Sequence, residues 1–296
     1  MKTLLALLLP WLSGLTLHPA DGPATHVPLP QDHAATVRLL GPAADGGWVL
    51  TDRRGDRQVV LRLRGHRLTT VRSVRDPQDG TSFLLATDGR HVVEVDAPTT
   101  LRTDLWAFDL RGRVVGHERL PRPADLLGYD GSTVWYATSG RTFAWTPGEQ
   151  AVAVAGVAGV AVDPAHDVLF TYDPDGATYG PTSLATPGPQ AWSWPVSLFT
   201  PRAVSPDGSH VVGLAGGRAN HVQVRRMSDG VVVSDWRRHL AFDRPLVWED
   251  AEHVVSVLRS RRGWALLRCT VVAGCDRASA LSGDPVSLPF VEVPSR

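Results

Sequence analysis

Arginine carries the most chemistry in this sequence. Eight arginines fall between Asp52 and Asp76 against three aspartates, among them Arg53, Arg54, Arg62 and Arg64, and a smaller set, Arg259, Arg261 and Arg262, lies near the end. A guanidinium offers a planar fork of donors that matches carboxylate or phosphate oxygens, so these seven residues are the candidate binding set. Arg62 and Arg64 alternate on one strand face. A solvated outer strand in a lysine-poor protein gives the same pattern, so the grouping alone does not separate binding from solubility. The whole chain is neutral, with 30 basic and 30 acidic residues, which removes the global field that draws nucleic acid to a protein. The expected partner is therefore another protein or an anionic envelope polymer.

Catalytic patterns are missing. The only lysine is Lys2, which excludes Schiff-base, P-loop and Ser-Lys chemistry from the rest of the chain. There is no G-x-S-x-G elbow, no G-x-x-x-x-G-K run and no G-x-G-x-x-G opening a helix, and no cofactor is expected. His91, His210 and His253 share one register but belong to different repeats, so they read as turn-flanking residues and not as ligands of one ion. Asp173 and Asp175, with Asp163 and Asp167 nearby, lack the spacing of a calcium loop and read as a solvated turn. Glu249 and Asp250 are adjacent, and adjacent strand residues face opposite ways. The tryptophans Trp106, Trp135, Trp145, Trp192, Trp194, Trp236, Trp248 and Trp264 suit the space between packed sheets, although indoles also stack on sugars.

These side chains must sit on something, and the chain repeats. Second strands start at Trp48, His91, Thr133, Asp167, His210 and His253, and the valines that follow, Val49, Val92, Val134, Val168, Val211 and Val254, are spaced 43, 42, 34, 43 and 43 residues apart. Asp-Gly or a similar turn precedes most of them, as at Asp45-Gly46, Asp88-Gly89, Asp130-Gly131 and Asp207-Gly208. Apolar segments such as Leu39-Leu40, Phe83–Leu85, Gly159–Val162 and Leu246-Val247 supply a first strand. Gln58–Leu63, Leu105–Leu110, Val222–Arg226 and Trp264–Arg268 supply a third, and Leu68–Val74, Val114–Leu120, Ala151–Val157 and Val231–Trp236 a fourth. Four strands in about 42 residues is the size of a propeller blade. The 28 glycines and 23 prolines deny the chain any long helical period.

The ends carry separate signals. Lys2 followed by the apolar run Thr3–Leu17 has the length of a secretory h-region and is short for a membrane span, so residues 1–24 are expected to be a signal peptide with cleavage near Ala24; the alternative is an uncleaved anchor. Cys269 and Cys275 are too few for a structural zinc site and wrongly spaced for a redox C-x-x-C pair. With export they read as a disulfide across a hairpin; the alternative is two small buried thiols. Either His26–Pro30 or Val286–Val293 can provide the strand that closes the ring.

The stretch Ser205-Pro206-Asp207-Gly208-Ser209-His210-Val211-Val212 resembles the WD40-like propeller repeat of the TolB type, in which an S-P-D-G turn joins two strands of a blade. Leu267–Arg277 resembles the Cys-bracketed last hairpin of secreted actinobacterial propeller proteins. The resemblance implies a propeller and an extracytoplasmic binding role. The reading that follows is an all-β, six-bladed β-propeller over residues 25–296, monomeric, secreted or envelope-associated, without a membrane span once the signal is removed. It is expected to bind and not to catalyse. The alternative is a hydrolase or lyase with its site at the mouth of the axial channel.

Overall fold

Strand alternation and turn chemistry shape every repeat. In the computed structural model, which describes residues 9–75, 81–99, 102–216, 218, 220–237 and 242–289, most Asp-led turns are closed by the aspartate itself, whereas Asp45 of the first turn pairs with Arg62. Asp88 Oδ1 accepts the backbone N–H groups of Arg90 and His91, Asp130 Oδ1 those of Ser132 and Thr133, and Asp250 Oδ1 those of Glu252 and His253. This is the local bonding that makes Asp a turn former. In the S-P-D-G turn the Ser205 hydroxyl donates to Asp207 Oδ1 at 2.6 Å and accepts from the His210 N–H at 2.9 Å. Gly131 sits at φ +106°, and a Cβ there would lie 2.3 Å from Asp88 Oδ2, so the turn requires glycine twice over.

The turns connect seven four-stranded antiparallel sheets. Blade 1 comprises Arg38–Pro42, Trp48–Arg54, Arg57–Arg64 and Arg67–Arg75, and blade 2 Thr81–Leu85, His91–Thr99, Arg102–Asp109 and Val114–Leu120. Blade 3 comprises Ala124–Tyr129, Val134–Thr138, Arg141–Trp145 and Val152–Ala155, and blade 4 Ala158–Asp163, Val168–Asp173, Thr178–Ser183 and Trp194–Pro195. Blade 5 is Phe199–Val204, His210–Ala215, His221–Arg226 and Val232–Arg237; blade 6 is Phe242–Trp248, His253–Ser260, Gly263–Thr270 and Cys275–Arg277. Among the described residues the only helical pieces are the 3-10 turns Gln31–Ala35 and Pro164–His166.

All six sequence repeats thus become blades, but the six-bladed count is wrong. A seventh sheet runs Val286–Ser287, Trp11–Ser13, Thr16–His18, Thr25–His26. Its strands are two or three residues long and come from both ends of the chain, so they carry no repeat period. Leu12 pairs with Leu17 and with Ser287, and Ser13 with Thr16 and with Val286. Gly14 takes φ +54° at the tip of the tight hairpin between the first two of these strands, and its N–H donates to Pro285 O at 2.9 Å. Both expected closing segments contribute: His26 ends the strand Thr25–His26, and Val286–Ser287 pairs with Trp11–Ser13. Two of the sheet's strands therefore lie inside residues 1–24, the segment read as a signal peptide.

The described chain divides into two compact units, one of Thr25–Val162 and one of Asp163–Leu288 with residues 9–24. In the first, blades 2 and 3 share a core of Leu84, Val93, Leu105, Leu126, Tyr136 and Trp145, while Leu40, Val49, Val60, Phe83, Val92 and Phe108 fill the space between blades 1 and 2. In the second, Val212, Val222, Trp236, Trp248, Val254 and Leu267 join blades 5 and 6. Trp135, Trp145, Trp194, Trp236 and Trp248 are buried, in line with their reading as core; Trp106, Trp192 and Trp264 are half-buried. Cys269 and Cys275 form the expected disulfide, bridging paired positions of blade 6. No helix among the described residues is long and apolar enough to cross a membrane.

Candidate functional site

Blade 1 gathers four of the seven candidate arginines, and its pairing register is unusual. Arg54 lies directly opposite Arg57, Arg57 opposite Arg75, and Arg64 opposite Arg67. Like charges placed directly across a ladder destabilise a sheet. Carboxylates answer some of them: Arg54 Nε donates to Asp52 Oδ2 at 2.9 Å, Arg75 Nε to Asp56 at 2.9 Å, and Arg62 pairs with Asp45. The Arg62 guanidinium holds the Asp45 carboxyl below the usual carboxylate range. Arg64 and Arg67 bracket the exposed Gly65-His66 turn and make no ion pair among the described residues, although the Arg64 charge helps to hold the Asp45 carboxyl low. Arg53 is exposed at the end of the same strand as Arg54. Arg259, Arg261 and Arg262 lie on blade 6, in the other unit; Arg259 spreads over the Trp264 ring at 5.1 Å and the other two are exposed in the turn before Gly263.

A second arrangement escaped the sequence reading. Asp52 is 1% exposed, and three donors converge on it: His33 Nδ1 at 2.7 Å, Thr36 Oγ1 at 2.8 Å and Arg54 Nε at 2.9 Å. His33 stands on the 3-10 turn Gln31–Ala35, which leads into blade 1. In front of this cluster lies a pocket of about 370 Å³ lined by Pro28, Leu29, Pro30, His33, Arg54, Leu61, Leu68, Thr69 and Thr70. Asp52 is not part of its wall. The pocket thus sees a guanidinium and an imidazole whose common carboxylate is hidden behind them. The signal for it was an aspartate in the apolar strand Trp48-Val49-Leu50-Thr51-Asp52, where a charge must find partners.

Two further buried carboxylates act within blade 2 and between blades 1 and 2. Asp104, 3% exposed, accepts from His117 Nε2 at 2.9 Å, Arg119 Nε at 3.2 Å and Arg102 Nη2 at 2.5 Å. Burial acts to raise its pKa, but these three hydrogen bonds win and hold it below the ordinary value. The His117 ring stacks on Trp106 at 3.7 Å. Glu94, 2% exposed, accepts from Arg72 Nε of blade 1 at 2.8 Å, and here burial dominates and raises its pKa. Both groups are satisfied within the fold.

The histidine register has the structural origin expected. His91 Nδ1 and His253 Nδ1 each lie 2.8 Å from the aspartate of their own turn, and His210 Nδ1 lies 2.7 Å from Ser209 Oγ. Glu249, Asp250 and His253 lie close enough together to hold an ion, but Arg268 already pairs with Glu249, so a cation there would have to displace a cation. Asp173 accepts from the Asp175 N–H, and Asp167 from Ser183 Oγ and the Ala185 N–H, so these carboxylates are also spent inside turns.

No protein-family model matches the chain, so the S-P-D-G likeness is not backed by a family match, and no curated protein matches either. Solved structures do match, at low identity. An uncharacterised protein of Listeria monocytogenes EGD-e aligns with a TM-score of 0.54 at 9% identity over 84% of both chains. The AfRom2 CNH domain aligns with a TM-score of 0.58 at 8% identity, covering 86% of this chain and 87% of that one. A structure from a study of two prolyl endopeptidases aligns with a TM-score of 0.59 at 15% identity, covering 95% of this chain but 50% of the other. At such identities the likeness speaks for the fold alone, and the fold is a β-propeller.

Proposed function

We propose that this protein is an exported, non-catalytic propeller that holds an anionic polymer on the outer strands of blade 1. The observation that carries the reading is the set of three directly opposed arginine pairs, with Arg64 and Arg67 at an exposed hairpin tip without ion pairs among the described residues. Such pairing costs stability, on the order of a few tenths of a kcal/mol per pair. A polyanion returns that cost by supplying the missing counter-charge through charge-assisted hydrogen bonds. Export is supported by the disulfide, which persists in oxidising compartments. The test is binding of labelled polyphosphate and of uncharged dextran to the purified chain, compared with R64Q/R67Q. The reading expects polyphosphate alone to bind, and the double variant to bind it on the order of tenfold more weakly while unfolding no more easily than the parent. Equal binding of dextran, or unchanged binding by the variant, overturns it.

One observation favours an enzyme as the second reading. His33, oriented by the buried Asp52 and facing a pocket, has the base-and-orienter geometry that activates nucleophiles in hydrolases. On this second reading the reacting group is His33, on the turn that leads into blade 1. Ester turnover lost in H33A supports it; no turnover above that variant's background removes it.

A further inference from the structure

We infer that His166 is a proton-dependent clip between blades 4 and 5, tightened by acid and released toward alkaline pH. It is independent of what blade 1 holds. The spacing Asp-x-x-His occurs in four turns, pairing Asp88 with His91, Asp163 with His166, Asp207 with His210 and Asp250 with His253. In three of them the histidine directly precedes the valine of the second strand. In blade 4 Asp167 intervenes at φ 55°, in the left-handed region, so His166 stays on the 3-10 turn Pro164–His166. From there it reaches the next blade. Its Nδ1 lies 3.1 Å from Asp163 Oδ2, and its Nε2 lies 3.1 Å from the Pro206 carbonyl oxygen in the S-P-D-G turn of blade 5. The ring packs on that turn so closely that a Cβ at Gly208 would come within 2.6 Å of it.

Both oxygens accept and neither donates. A neutral imidazole has one N–H and turns a lone pair toward one of them, whereas the imidazolium donates to both. His91 and His253 meet an acceptor at Nδ1 alone, which a neutral ring satisfies. Trp192 and Trp194 also donate from blade 4 to blade 5, to Met227 O at 2.7 Å and Phe199 O at 2.6 Å, but an indole keeps its N–H throughout. The other titratable groups at this seam are Asp163 and Asp167 on the ring's own turn and Asp207 and His210 on the turn it docks against. Hydrogen bonds, from Ser183 first at Asp167 and from Ser205 first at Asp207, hold these two carboxyls below the ordinary range, so they keep their charge while histidines titrate. Because the clip needs the extra proton in the folded state, its contribution is complete on the acid side of the ordinary histidine value of about 6.5 and is lost as pH rises.

The experiment is denaturant unfolding of the full chain beside H166L at pH 5.5 and pH 8. The substitution should lower the folding equilibrium constant on the order of fivefold at pH 5.5 and far less at pH 8. D163N keeps an oxygen for the Ala165 and His166 N–H groups that Asp163 caps, and offers the ring a donor in place of an acceptor. A neutral ring then serves, so replacing His166 in the D163N background should cost the same at both pH values. A second readout is local: the Asp207 amide follows the Pro206 carbonyl, and its NMR shift should step between pH 8 and pH 5.5 in the parent and in H210N but not in H166L. If H166L fails to fold, the step in the parent, its survival in H210N and its loss in D163N decide the matter. An H166L effect equal at both pH values, a step that persists in H166L or D163N, or a step abolished by H210N overturns the inference.

Discussion

Substituting Leu17 by alanine should destabilise the protein as a core mutation does, although the residue lies in an apolar stretch that also reads as a signal segment. Leu17 is fully buried, pairs with Leu12, which is 1% exposed, and belongs to the sheet that Val286–Ser287 completes. A buried Leu→Ala change removes transfer free energy and leaves a cavity, together worth about 2–5 kcal/mol. In a protein of this size that corresponds to a fall in Tm on the order of 5–10 °C. The control is V152A on an outer strand, where the side chain is 63% exposed and the expected change is within about 0.5 kcal/mol. The assay is denaturant unfolding of both variants beside the parent, with intact mass defining the first residue of each preparation. Identical stability of L17A and the parent would refute the assignment of Trp11–His18 to the folded sheet. So would a mature chain that starts after His18 and unfolds with undiminished cooperativity.

Two titrations probe the buried and turn carboxylates. Removing Arg72 in R72M strands Glu94 without its partner, with a loss of roughly 3 kcal/mol at neutral pH. Because burial already raises the Glu94 pKa, the loss should shrink as pH falls and the carboxyl takes up its proton, measured by unfolding at pH 7.5 and 4.5; a pH-independent loss contradicts this. Hydrogen bonding from Ser205 above all, and from Ser209, lowers the Asp207 pKa to about 2, so this group stabilises the fold above its unfolded value and loses that contribution as pH falls toward 2. In S205A an NMR titration should find Asp207 moved back toward an ordinary carboxylate, and no movement would rule out the serine as the cause.

The six repeats were legible because most state their structure twice, in a valine-led strand and in an Asp-led turn that closes on its own backbone. The short interval, 34 residues, is spent in blade 3, whose last strands Arg141–Trp145 and Val152–Ala155 are only five and four residues long. The seventh blade was not legible. Its strands are too short for periodicity, and its hydrogen bonds join residues separated by most of the chain, as from Leu12 to Ser287. Trp11-Leu12-Ser13-Gly14-Leu15-Thr16-Leu17-His18 satisfies both a hydrophobic run and the alternation of a tight hairpin, and hydrophobicity alone cannot separate them. The arginine-rich blade was visible as composition, but its opposed pairs needed the register. The His33–Asp52 contact joins a loop to a strand across 19 residues, a separation that no local pattern encodes.

The most direct test of the central reading is the salt dependence of polyphosphate binding by the parent chain and by R64Q/R67Q. If blade 1 holds a polyanion through Arg64 and Arg67 at its hairpin tip, affinity should fall steeply between low and physiological salt, and the double variant should show a shallower slope as well as weaker binding. Binding that is insensitive to salt, or a slope shared by both proteins, would contradict it.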